Sequence, residues 1–129
     1  MPKFGNRSRR NLATADEDLR ILFENVVDKV DCSVLEGFRN KKRQNAMVKN
    51  GFSELKWPLG NHNKKPSLAV DVVPYPIDWK NIERFRMFSA YVYGVAETLG
   101  IQLRYGSTWR KTPFGKLARN PDHPHYEIR

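Results

Sequence analysis

The sequence predicts an α+β fold, and three observations carry that reading. Apolar residues recur at helical spacing over 19–30 and again over 82–99. A β-branched apolar run stands between them at 68–73, and shorter strand-like runs follow at 101–105 and 126–128. The predicted order is helix, strand, helix, strand, helix, strand, strand, which points to α+β. A chain of 129 residues makes about one domain, so residues 1–129 are expected to form a single unit.

The elements follow in order. Thr14-Ala15-Asp16-Glu17 has the form of a capping box, and Leu19, Leu22, Phe23, Val26 and Val30 then mark one helical face. Ser33 to Phe38 reads as a short strand. Asn40 can cap a polar helix that runs to about Asn50, with Gly51 as its stop. From Phe52 to Pro66 the chain is rich in Pro, Gly, Asn and Lys without periodicity, and a long ordered loop is expected. Leu68 to Val73 suits a buried central strand, interrupted only by Asp71. Pro74-Tyr75-Pro76 ends it. Asp78 can cap the main core helix, whose stripe is Ile82, Phe85, Phe88, Val92, Val95, Ala96 and Leu99 before Gly100. Ile101 to Tyr105 and Tyr126 to Ile128 are the last strands, separated by a loop rich in Gly, Lys and Arg from Gly106 to Pro121.

Composition narrows the function classes. Mean hydropathy of −0.68 and 29% charged residues leave no membrane span. The basic start, Met1-Pro2-Lys3-Phe4-Gly5-Asn6-Arg7-Ser8-Arg9-Arg10, lacks the apolar stretch of an export signal. Cys32, the single cysteine, excludes an internal disulfide and a cysteine-based zinc site, and its apolar neighbours favour a semi-buried structural thiol over a nucleophile. A net charge of +9 and a pI near 9.9 predict attraction to a polyanion: nucleic acid, an acidic membrane face or an anionic bacterial wall.

The candidate chemistry lies in the three histidines and in Asp71. An ionised carboxylate in an apolar strand needs either a basic partner or a metal. His62 stands in the preceding loop and can reach Asp71 at about 3.3 Å per extended residue, although a lone loop histidine is more often an ordinary surface residue. His123 and His125 could face one side of a strand together, but Pro124 interrupts the ladder, which favours His125. Two nitrogens and a carboxylate form a recurring catalytic zinc shell and suggest a metallohydrolase. Asp122, on the loop leading to His125, either serves as a proton acceptor or closes an Asx turn.

These residues carry a resemblance. His62, Pro66-Ser67-Leu68-Ala69-Val70-Asp71, Pro74-Tyr75-Pro76-Ile77-Asp78-Trp79 and Asp122-His123-Pro124-His125-Tyr126-Glu127 resemble the VanY-type, D-alanyl-D-alanine carboxypeptidase-like zinc peptidases, and within them the phage endolysin branch of L-alanyl-D-glutamate peptidases. The likeness extends from Phe4-Gly5, through Glu36-Gly37-Phe38-Arg39 and Gln44, to Leu103-Arg104-Tyr105-Gly106. It implies a central antiparallel sheet packed against helices, and Zn2+ held by His62, Asp71 and His125. It also implies Asp122 as catalytic acid and base, Arg39 facing the cleft to hold a substrate carbonyl or carboxylate, and Tyr75 against the substrate. Two departures stand out: Gly60 replaces the family's serine with a longer gap to Asp71, and Thr108 takes the place of an acid in Gly106-Ser107-Thr108-Trp109.

The function implied is hydrolysis of peptidoglycan stem peptides between L-alanine and D-glutamate, with D-alanyl-D-alanine carboxypeptidase activity as the alternative. A monomer is expected, drawn by charge to the anionic bacterial envelope, made in the host cytoplasm and acting in the wall after holin release. Two other classes remain open at the level of sequence. One is a small basic nucleic-acid-binding protein using Arg7-Ser8-Arg9-Arg10, Lys41-Lys42-Arg43 and the tryptophans, although Trp57, Trp79 and Trp109 each sit where packing accounts for them. The other keeps the zinc fold without catalysis, and would have no need of Asp122.

Overall fold

In a computed structural model describing residues 2–128, three of four helices pack with a four-stranded sheet around one core, and the third helix in chain order lies outside it. The helices are α1 (Asn6–Ala13), α2 (Glu17–Lys29), α3 (Lys41–Lys49) and α4 (Ile82–Leu99). The strands are β1 (Cys32–Glu36), β2 (Ala69–Pro74), β3 (Arg104–Tyr105) and β4 (His125–Glu127), ordered β1-β2-β4-β3 with every pair antiparallel. The α+β expectation and the central place of 68–73 hold.

Strand alternation divides the sheet into two faces with different chemistry. Val70 and Val72 of β2, Val34 of β1 and Tyr126 of β4 face α2 and α4, and all are buried in the core cluster. Tyr126 is the keystone of that layer. Its ring meets Phe23 of α2 edge-on at 5.3 Å and Phe88 of α4 at 6.4 Å, and its hydroxyl pairs with Ser89 at 2.9 Å. Burying each of these large apolar side chains contributes about 1.5–3 kcal/mol, which fixes which face turns inward. A one-residue slip would invert it. The remaining positions, Asp71 and His125, are therefore held on the opposite face, directly across from one another in the β2–β4 register. On the other side of β2, a bulge between Val34 and Glu36 brings Glu36 opposite Asp71.

Several local expectations are corrected. Residues 6–13 form a helix that hydrophobic periodicity does not reveal, because α1 is anchored by polar groups: Ser8 Oγ accepts from Val34 N–H, and Asn11 donates to the carbonyls of Val34 and Leu35. α1 thereby covers the exposed edge of β1. Thr14 does not cap α2; Asp16 does, accepting from Asp18 N–H. Residues 14–16 are instead pinned alongside Ser67 by backbone hydrogen bonds, which delays the helix start, and the Thr14 hydroxyl bridges Asn11 O and Phe38 N–H. Asp78 closes a short turn on Lys80 N–H, and Asn81 caps α4. Ile82 and Leu99, at the two ends of α4, overhang the core and are exposed. Only Arg104–Tyr105 of the expected 101–105 strand pair with a neighbour, although Ile101 and Leu103 pack in the core. Trp79 is largely exposed, with its ring stacked on Phe85.

Candidate metal centre

His62, Asp71 and His125 converge, each offering one ligand atom within 4.8 Å of the others. Three elements supply them: a 3-10 turn at Asn61–Asn63, the middle of β2 and the first residue of β4. The turn is tied back to the fold at several points. Arg39 N–H donates to His62 O, and Leu68 N–H donates to Asn61 O. Asn63 Nδ2 reaches both Arg39 O and Gln44 Oε1. The longer spacing to Asp71 is thus absorbed within a held loop.

Hydrogen bonds select the nitrogen that each imidazole presents. His62 Nδ1–H donates to Gly37 O at 2.8 Å, which leaves Nε2 facing Asp71 Oδ1 at 3.2 Å. His125 Nε2–H donates to Glu127 Oε1 at 2.6 Å, which leaves Nδ1 facing Asp71 Oδ1 at 3.6 Å and Asp122 Oδ2 at 3.8 Å. The edge of a tetrahedron with bonds of ~2.0–2.1 Å is roughly 3.3 Å, so these separations fit a small tetrahedral cation. A set of two nitrogens and one oxygen favours a transition metal over magnesium or calcium. The donor chemistry fits the ion that the sequence implied.

Electrostatics agree with that arrangement. Burial pushes the Asp71 carboxyl up, but the facing His62 and His125 outweigh it and hold the group well below the usual carboxylate range. Burial opposes the His125 imidazolium, yet hydrogen bonds to Asp71 and Glu127 raise it to about 9. Asp122 moves the other way: burial, and then the charge of Asp71, raise its pKa, as suits a carboxyl that both takes and returns a proton. Asp122 lies half-exposed at the edge of the site, in a turn closed by His125 N–H onto its carbonyl.

The other predicted residues fall as follows. Arg39 is buried, and its guanidinium binds Glu36 and Gln44 with Nη2 3.6 Å from Asp71 Oδ2, so it reaches the site beside the carboxylate. Tyr75 lies just beyond β2 with its ring exposed. His123 is outside the cluster: its Nδ1 pairs with Ser107 Oγ at 2.8 Å and its ring stacks on Phe85. Thr108 donates to Thr112 O and shapes the following turn.

Three contributors escaped the sequence reading. Glu127 orients His125, and the signal was available, since residues two apart on a strand share a face. Trp109 lies against the His125 ring with centroids 5.1 Å apart, from a backbone φ of 52°. Gly106 is required for space: a Cβ there would stand 1.9 Å from Asp122 O and 2.9 Å from His125 Cβ.

Comparison with known proteins gives concordant likenesses. The family described as phage L-alanyl-D-glutamate peptidase matches residues 1–128. The L-alanyl-D-glutamate peptidase of Escherichia phage T5 is 30% identical over 112 residues, covering 83% of this chain and 81% of that protein. The crystal structure of the Serratia marcescens L-Ala D-Glu endopeptidase ChiX superposes with a TM-score of 0.78 at 26% identity, over 99% of this chain and 91% of that one.

Proposed function

The chain belongs to the phage L-alanyl-D-glutamate peptidase family, and on that premise we propose that His62, Asp71 and His125 hold a zinc ion while Asp122 moves the proton of peptide hydrolysis. The enzyme is a phage peptidase that hydrolyses amide bonds in peptidoglycan stem peptides, between L-alanine and D-glutamate. The observation that carries the site assignment is the convergence of two oriented imidazoles on one oxygen of Asp71, with Asp122 at its edge.

Zinc bound there supplies Lewis acidity, polarising a carbonyl and acidifying water. Asp122 takes the proton of the attacking water and returns it to the leaving amine. Burial, and then the charge of Asp71, raise its pKa, which makes it a stronger base. Arg39 holds the second oxygen of Asp71 toward itself and places a permanent positive charge beside the reacting carbonyl. Tyr75 offers an exposed aromatic wall for the peptide. The molecule acts on the cell wall, and among its described residues no helix is long and apolar enough to cross a membrane. Release through a holin-formed opening and action as a monomer complete the reading.

The test is digestion of purified peptidoglycan with and without chelator, followed by identification of the new amino termini. New D-glutamate amino termini that vanish with chelator and return with zinc are expected; released free D-alanine would instead identify a carboxypeptidase. Asp122→Ala should abolish cleavage and leave zinc bound, whereas His125→Ala should lose both. Zinc retained by His125→Ala would sink the ligand assignment.

A further inference from the structure

Positive charge in this chain is concentrated in one exposed segment. Between residues 40 and 66, about a fifth of the chain, seven Lys and Arg stand against the single acid Glu54, a net +6 of the total +9. Arg43 alone of these is paired with an acid, Glu36, among the described residues. The same segment exposes large apolar side chains: Phe52 is 75% exposed, Leu59 66% and Leu55 51%. The loop holds these outward by its own bonding. Gln44 Nε2 binds Ser53 Oγ and the carbonyl of Leu55, Phe52 N–H donates to Met47 O, and Lys64 Nζ returns to Pro58 O. Behind the tips, Trp57 packs edge-on against Phe38, whose face is covered by Lys65.

We propose that this face, the exposed side of α3 with the loop at 52–65, docks on an anionic lipid surface. Two independent features select that occupant. The lysines match a negative surface, each contributing roughly 1 kcal/mol near anionic headgroups. A soluble polyanion would satisfy them equally, but it would leave Phe52, Leu55 and Leu59 in water. Only the boundary between headgroups and acyl chains takes apolar tips and cations together, with lysine stems reaching back to the phosphates. The segment also carries His62, so docking sets the metal centre's distance and orientation relative to the surface.

The experiment is co-sedimentation of the zinc-loaded enzyme with vesicles of phosphatidylcholine alone or enriched in phosphatidylglycerol. Binding to the enriched vesicles only is expected, weakening as salt rises. Lys49→Gln and Lys56→Gln should each lower the partition constant about fivefold. The exposed triple variant F52S/L55S/L59S should lower it at least about tenfold. Circular dichroism and cleavage of soluble muropeptides, both unchanged, certify that the triple variant is folded and active. Full vesicle binding by that variant would reduce the face to a polyanion site and overturn the proposal. So would equal binding to both vesicle types, or no binding by the wild type. None of these outcomes touches the peptidase assignment, which the muropeptide assay reads separately.

Discussion

Single hydrogen-bond partners decide which nitrogen of each histidine turns toward Asp71. Glu127 does this for His125 through a 2.6 Å bond, and it is itself braced by Arg104 at 3.5 Å. Burial opposes ionisation of Glu127, but the His125 bond prevails and keeps its pKa lowered. Removing such an orienting partner typically costs 10–100-fold in metal affinity. Glu127→Ala should therefore weaken zinc binding by roughly that factor, read by competition with a chromogenic chelator, and Glu127→Gln should lose less because an amide oxygen can still accept. Equal affinity in Glu127→Ala and wild type would leave His125 oriented by Trp109 alone. Cys32 is the contrasting case. Burial, and then Asp31, push its thiol up to about 12, so at pH 8 almost none of it is thiolate. Disulfide reagents should modify it only as fast as the protein unfolds, and prompt labelling in native buffer would contradict its packing.

At the scale of elements, the turn joining Gly106 to β4 sets where Asp122 stands. Gly106 N–H donates to His125 O, and Asp122 N–H donates to Gly106 O. There is no room for a methyl between them. Gly106→Ala should cost about 2–3 kcal/mol in a urea melt, and should reduce cleavage beyond what the unfolded fraction explains, because Asp122 is displaced. Gly94, exposed in α4 with nothing near its absent Cβ, is the control: Gly94→Ala should stabilise by about 0.5–1 kcal/mol with activity intact. These turns also mark where the sequence stopped being legible. α2, α4 and β2 were readable because apolar periodicity reports burial, and burial drives them. α1 was not, since Ser8 and Asn11 fasten it with hydrogen bonds that leave no periodic trace. The cap of α2 moved from Thr14 to Asp16 because a distant partner, Ser67, claimed the intervening backbone. In the site, His62, Asp71, His125 and Asp122 could be named from a resemblance and from the cost of a buried carboxylate. The pairing of Arg39 with Glu36 could not, because it depends on a bulge in β1.

For the molecule as a whole, an ion held by His62, Asp71 and His125 would work as a cross-link. These three residues come from a loop, a central strand and the last strand, segments that meet only in the folded chain. An ion that binds the native state alone adds stability as RT ln(1 + [L]/Kd), about 4 kcal/mol at a thousandfold excess over Kd. Thermal melts should therefore rise with zinc and fall with chelator. The pH dependence distinguishes this cross-link from the charge pairing that underlies it. In chelated protein the raised His125 pKa, about 9 against an ordinary value of 6.5, stabilises fully below about pH 6.5. That contribution is lost as pH climbs through 9, because the imidazolium gives up its proton and its attraction to Asp71 and Glu127. Zinc competes for the same nitrogen, so its uptake near pH 7 must expel that proton, and zinc affinity must increase with pH over the same interval. Melting curves from pH 6 to 9.5 should thus diverge, chelated protein weakening while zinc-loaded protein holds or gains. Calorimetric titration at pH 7 in buffers of different ionisation enthalpy should register about one proton released per zinc. Parallel melting curves, or zinc uptake without proton release, would mean that the ion is held elsewhere than at His125.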